Sequence, residues 1–118
     1  MKVIIAGGRE IDVDYAMRIL DELKEQGVFE YVLEIVSGCA HGVDEAGKRW
    51  ARLHKIAIKE FPANWEKHGK AAGPIRNAVM ADYADHLVLI WDGKSKGSKN
   101  MKFCMEKLGK GITERIVE

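Results

Sequence analysis

Cysteine and proline are both scarce in this chain of 118 residues, with two of each. Cys39 and Cys104 are too few for a disulfide framework and fit a reducing compartment. The two prolines, Pro62 and Pro74, leave no proline-rich linker, and no repeat or low-complexity stretch divides the chain. No apolar run approaches the ~20 residues of a membrane span. No secretory signal is expected, because Met1-Lys2 leads through a few apolar residues straight to Gly7-Gly8. A cytoplasmic protein is expected. Net charge is also lacking, at a formal +1, which excludes a polycation that coats nucleic acid or membranes by bulk charge.

What is present is an ordinary folded composition, 47% apolar and 31% charged. The length suits one domain, residues 1–118, since single domains commonly run ~100–150 residues. Such a chain buries roughly two-thirds of its unfolded surface and needs no metal or disulfide staple. Its charge is unevenly placed. Residues 10–34 carry eight acids against two bases, and residues 94–110 carry six lysines against Glu106 alone. A local anion site is therefore compatible with a near-neutral whole.

Apolar runs alternate with amphipathic stretches. Val3–Ala6, Tyr31–Val36, Ile56–Phe61, His86–Trp91 and Ile112–Val117 read as strands. Between the first two, Asp12 caps a helix with Val13, Ala16, Met17, Leu20 and Leu23 at helical spacing, and Gly27 ends it. A second helix runs from about Gly42. Residues 62–73 read as an irregular loop, with Pro74 at the first position of a third helix. Ser98 reads as the cap of a fourth. The order β-α-β-α-β-α-β-α-β predicts an α/β, Rossmann-like three-layer sandwich with a mainly parallel five-stranded sheet. Ligands of such sheets sit at the carboxyl ends of the strands, where the strand order reverses.

The glycine-rich segments fall at those ends. Gly7-Gly8-Arg9 follows the first strand; glycine lets backbone N–H groups approach a ligand, and arginine forks onto phosphate. It lacks the third glycine of a dinucleotide fingerprint. Ser37, Gly38 and Gly42 follow the second strand, and Asp44 and Glu45 open the second helix, whose N-terminus favours an anion. Asp44 serves either to offset the helix dipole or to bind a ligand hydroxyl. Arg76 and Asn77 read as lying in the first turn of the third helix, where a cation opposes the dipole unless an anion is bound. Gly93, Ser95, Gly97 and Ser98 follow the fourth strand in a basic, hydroxyl-rich loop. Val88 stands where a Walker loop requires glycine, so this is no triphosphatase loop. Cys39 and His41 alone are too few to hold a metal, and none is expected. The three tryptophans read as core or interface residues.

Taken together, Gly7-Gly8-Arg9, Ser37-Gly38-x-Ala40-x-Gly42-Val43-Asp44, Phe61-Pro62-Ala63-x-Trp65, Gly69-Lys70-Ala71-Ala72-Gly73-Pro74-x-Arg76-Asn77 and Trp91-x-Gly93-x-Ser95-x-Gly97-Ser98 resemble the SLOG superfamily, in its YspA-like branch. That superfamily includes the Lonely Guy phosphoribohydrolases and the DNA-processing protein A family. The resemblance implies a Rossmann-like fold and a site for nucleotides or nucleotide-derived ligands. The phosphoribohydrolases carry a catalytic glutamate in a Gly-Thr-x-x-Glu segment. The corresponding run here, Gly97-Ser98-Lys99-Asn100-Met101, has methionine at that place.

The expectation is a nucleotide-like ligand held by Gly7, Gly8, Arg9, Ser37, Gly38, Gly42, Asp44, Arg76, Asn77, Gly93, Ser95, Gly97 and Ser98, with no separate cofactor. Any catalysis would cleave an N-glycosidic bond using a carboxylate from Asp44 or Glu45. A homodimer is expected, and no membrane partner. The alternative is a module for single-stranded nucleic acid, using Lys94, Lys96, Lys99 and Lys102 with Trp65 or Trp91; the near-neutral charge counts against it.

Overall fold

The computed structural model describes residues 1–117. Its five strands are β1 (Lys2–Gly7), β2 (Glu34–Ser37), β3 (Ala57–Glu60), β4 (His86–Trp91) and β5 (Gly111–Ile116). They form one sheet in the order β3-β2-β1-β4-β5, parallel throughout. The chain builds outward from β1 through β2 to β3, then returns to the other side of β1 with β4. The order therefore reverses between β1 and β4, where a crevice opens at the carboxyl ends.

The pleat divides the apolar residues of each strand between two cores. Val3, Ile5, Ile35, Val88 and Ile90 pack under α1 (Val13–Glu25) and α2 (Val43–Leu53), around Leu20 and Trp50. Ile4, Val36, Leu87, Leu89 and Trp91 pack on the other face, against Met80 of α4 (Ala72–Tyr83) and Met101 and Met105 of α5 (Lys96–Lys107). Burial on both faces explains why these strands read as unbroken apolar runs. The three-layer α/β fold is as the sequence predicts.

Local differences have local causes. Asp12 caps α1 as expected, accepting the Tyr15 N–H at 3.0 Å. Tyr31 and Leu33 stay outside β2, at 74% and 76% exposed, because the turns after Gly27 carry them past the sheet. The segment expected to be an irregular loop is largely helical. Asn64 accepts the Lys67 N–H at 3.0 Å and caps a one-turn helix, α3 (Trp65–His68). A 3-10 turn at Gly69–Ala71 leads into α4. Pro74 is thus the third residue of α4, not the first, which costs nothing because first-turn N–H groups have no helical partner. Ser95, not Ser98, occupies the cap position of α5; Ser98 is buried in its first turn. Among the described residues, no helix is long and apolar enough to cross a membrane.

Candidate functional site

Two glycines shape the crevice. A Cβ on Gly7 would lie 1.8 Å from the Ile90 carbonyl oxygen, so only glycine lets the ends of β1 and β4 close together. Gly42 has φ +72°, and a Cβ there would lie 2.3 Å from the Gly8 carbonyl oxygen. That close approach brings the Val43 N–H to the same carbonyl at 3.2 Å and docks the start of α2 beneath the loop after β1.

The crevice is a cleft of about 730 Å³. Gly7, Gly8 and Arg9 line it from β1, and Asp44 from α2. Arg76 and Asn77 enter from α4, and Ser95, Gly97 and Ser98 from the start of α5. These predicted residues, distant in sequence, meet at one place. Gly38 lines a smaller neighbouring hollow of about 240 Å³ instead. The remaining predicted residues lie outside both. Ser37 is buried, and its hydroxyl accepts the Cys39 N–H at 3.1 Å. Gly42 is the wedge just described. Gly93 turns the chain at φ +81° beside Ile116. Glu45 faces away from the cleft, 3.2 Å from Arg49 and 3.7 Å from Lys48.

Asp44 is 5% exposed, and its Oδ2 accepts the Ala40 N–H at 3.2 Å. Burial pushes its pKa up to about 6, although the Ala40 N–H and the nearby Arg76 guanidinium pull the other way. Asp44 is thus a buried carboxylate of the cleft. The guanidinium of Arg76 donates to the Gly38 carbonyl, to the Phe61 carbonyl at 3.5 Å and to Asn77 Oδ1 at 3.0 Å. Asn77 passes the connection on, donating to the Gly97 carbonyl at 3.3 Å and Asn100 Oδ1 at 3.0 Å. Arg76 is the fifth residue of α4, one turn deeper than the first-turn position read from the sequence. It ties the loop after β2 to α4. Arg9, by contrast, is exposed and makes no ion pair among the described residues.

Two further contributors lie outside the residues predicted for the nucleotide site. Asp92 lines the cleft and accepts the N–H groups of Lys94 and Ser95 at 2.8 and 2.9 Å, bending the loop into α5. Those bonds hold its carboxyl below the usual range. An aspartate before Gly-Lys-Ser is itself a turn signal. Trp65 is the other. It is 51% exposed and lines the cleft, whereas Trp50 and Trp91 are buried. Of the three tryptophans read as core or interface residues, Trp50 and Trp91 lie in the core and Trp65 does not. Met101, at the place of the phosphoribohydrolase glutamate, is buried against the cleft.

Both cysteines are free thiols. Among the described residues no three His, Cys, Asp or Glu side chains gather around a common point suited to a metal ion.

The sequence model of the YAcAr family, described as the YspA, cpYpsA-related SLOG family, matches residues 1–68. The chain belongs to this SLOG family. Membership points to binding or processing of a nucleotide-related ligand. A similar curated protein is the Gene 61 protein of Mycobacterium phage D29, 34% identical over 86 residues. The match covers 68% of this chain and 66% of that relative, just under two thirds of its length. No solved structure matches the chain. The SLOG match contributes Gly7 to Ile11, Asp44 and Trp65 to the cleft, while the walls from α4 and α5 lie beyond residue 68.

Proposed function

We propose that this SLOG chain binds a nucleotide or nucleotide-derived ligand in the cleft between β1 and β4. The observation that carries the reading is the meeting, around one crevice, of the Arg9 guanidinium, without an ion pair among the described residues, the buried carboxylate of Asp44, and the N-terminus of α5, which has no side-chain cap among the described residues. Free N–H groups at a helix start and a forked guanidinium suit phosphate. A carboxylate with a pKa near 6 accepts from a ribose hydroxyl when ionised. In this reading the phosphate lies between Arg9 and Gly97-Ser98, Asp44 faces the sugar, and Arg76 holds the wall and adds positive charge.

With Met101 at the place of the catalytic glutamate and Glu45 outside the cleft, Asp44 is the predicted carboxylate left to serve any cleavage of an N-glycosidic bond. Chromatography of nucleoside monophosphates after incubation with the protein reports free base if cleavage occurs. Binding is tested first, by calorimetry against inorganic phosphate, ribose 5-phosphate and nucleoside monophosphates, and by native mass spectrometry of the protein as purified. The expected result is saturable binding of phosphate compounds, weakened in Arg9→Ala. We also propose that the chain forms a homodimer, which the same mass spectrometry reads directly. If no phosphate compound binds, and a single-stranded oligonucleotide binds with steep salt dependence, the cleft reading fails and the nucleic-acid module replaces it.

A further inference from the structure

The three tryptophans differ in one respect that the fold does not require. The indole N–H of Trp50 donates to Asp21 at 2.9 Å, and that of Trp91 to Glu114 at 2.6 Å. Both rings are buried, at 1% and 4% exposed. Trp65 is half exposed, and its indole N–H has no protein partner among the described residues. Its six-membered ring lies over Gly73 in the first turn of α4, where a Cβ would stand 3.5 Å from Cη2. A large apolar ring in water at the mouth of a cleft loses the burial that normally stabilises tryptophan.

Its position gives the exposure a use. Trp65 lines both the main cleft and the smaller hollow, and so do Arg9, Ala40 and Arg76. These four residues form the saddle between the two spaces. The ring therefore shares this saddle with Arg9 and Arg76, two of the four cationic residues that line the cleft. We propose that Trp65 is the stacking platform for the aromatic base of the ligand, which makes the base, and not the sugar phosphate alone, part of what the cleft selects. This rests on the cleft being a nucleotide site.

A flat ring accepts any base on its face, and stacking strength follows base area more than hydrogen-bond pattern. Discrimination among bases is then purine over pyrimidine, with little between adenine and guanine on the ring alone. The wider cleft has room for both base and sugar phosphate, since small-molecule sites commonly span ~300–1,000 Å³.

The test compares adenosine 5′-monophosphate, uridine 5′-monophosphate and ribose 5-phosphate by calorimetry on the wild type, Trp65→Phe and Trp65→Leu. Leucine keeps apolar bulk without an aromatic face, and phenylalanine keeps a smaller face. Wild-type protein should bind adenosine 5′-monophosphate at least about tenfold more tightly than ribose 5-phosphate, the scale of one base–aromatic stack. Uridine 5′-monophosphate should fall between them. Trp65→Leu should erase that advantage while leaving ribose 5-phosphate affinity unchanged, and Trp65→Phe should keep part of it. Tryptophan emission should also change on nucleotide binding in the wild type, because Trp65 is the exposed indole, and not in Trp65→Phe. If wild-type protein binds ribose 5-phosphate and adenosine 5′-monophosphate equally, the platform is overturned while the nucleotide-site reading stands. Equal loss of both ligands in Trp65→Leu overturns it too, by making Trp65 a support for the cleft wall. Failure of every phosphate compound to bind the wild type removes both ideas together.

Discussion

The groups that line the cleft follow two opposite plans. One set is already engaged: Asp44 of α2 with the Ala40 N–H, Arg76 of α4 with the Gly38 carbonyl. The other set is free: Arg9 stands exposed and without an ion pair among the described residues, and α5 begins at Ser95 without a side-chain cap. Around that helix start Asp92 holds the bend, and Asn77 holds the Gly97 carbonyl and Asn100. A set whose groups are satisfied keeps its shape; a set with free donors at a helix start is ready for an anion. Rigidity and recognition are thus assigned to different groups of one crevice, and substitutions in the two sets should have different signatures.

The sharpest break falls on the fixed part. Gly42→Ala combines a left-handed φ with a Cβ 2.3 Å from a carbonyl oxygen. It should cost more than about 3 kcal/mol in denaturant unfolding, since strain and a backbone clash add. Next comes Asp44→Asn, with the opposite sign. The folded pKa of Asp44 is about 6, above the value of 3.8 for the free group, so the folded state binds the proton more tightly. That contribution favours folding fully below pH 4 and is lost as pH rises toward 6. Asparagine keeps an acceptor for the Ala40 N–H and removes the buried charge. It should therefore stabilise the protein by up to about 3 kcal/mol at pH 8 and hardly at all at pH 4, while weakening ligand binding. Thermal unfolding at both pH values measures this, and equal effects at both would contradict it.

Arg76→Ala should be milder, costing about 2 kcal/mol, because it leaves the Gly38 carbonyl and Asn77 without their charged donor. It should also raise the pKa of Asp44 further, a change that titration followed by NMR would register. The smallest stability effect belongs to the free set. Arg9→Ala should shift unfolding by no more than about 0.5 kcal/mol, as exposed substitutions usually do. Its effect on binding of a phosphate ligand should reach about 1.5–3 kcal/mol. A destabilised Arg9→Ala with unchanged binding would erase the distinction between the two sets.

Much of this was legible beforehand, for physical reasons that also mark where legibility stopped. Strands buried on both faces betray themselves as apolar runs, and the alternation with helices settles a parallel sheet. Gly7 and Asp44 were marked because turns and helix starts constrain residue type locally. The helical character of residues 65–71 left no such trace, because α3 buries none of its residues and so shows no apolar period. Arg76 illustrates a deeper limit. Its acceptors, the carbonyls of Gly38 and Phe61, are 38 and 15 residues away, and backbone carbonyls carry no sequence signature at all. Glu45 and Asp44 are neighbours of like chemistry, and only the 100° step of a helix decides that one faces the cleft and the other faces Lys48 and Arg49.

The strand order has a consequence for synthesis on the ribosome. β1 is the middle strand, yet its two partners are made far apart in time: β2 by residue 37, β4 only by residue 91. As the chain emerges, β1, β2 and β3 can pair while the other edge of β1, with Ile4 and Ile5 in its middle, faces solvent. An open apolar edge is a template for the wrong neighbour. Nascent chains stalled before residue 86 should therefore stay protease-sensitive and chaperone-bound, and release should coincide with arrival of β4. The floor of the cleft, where Gly7 meets Ile90, is completed in the same step, so a ligand can meet only a chain that has already escaped that hazard.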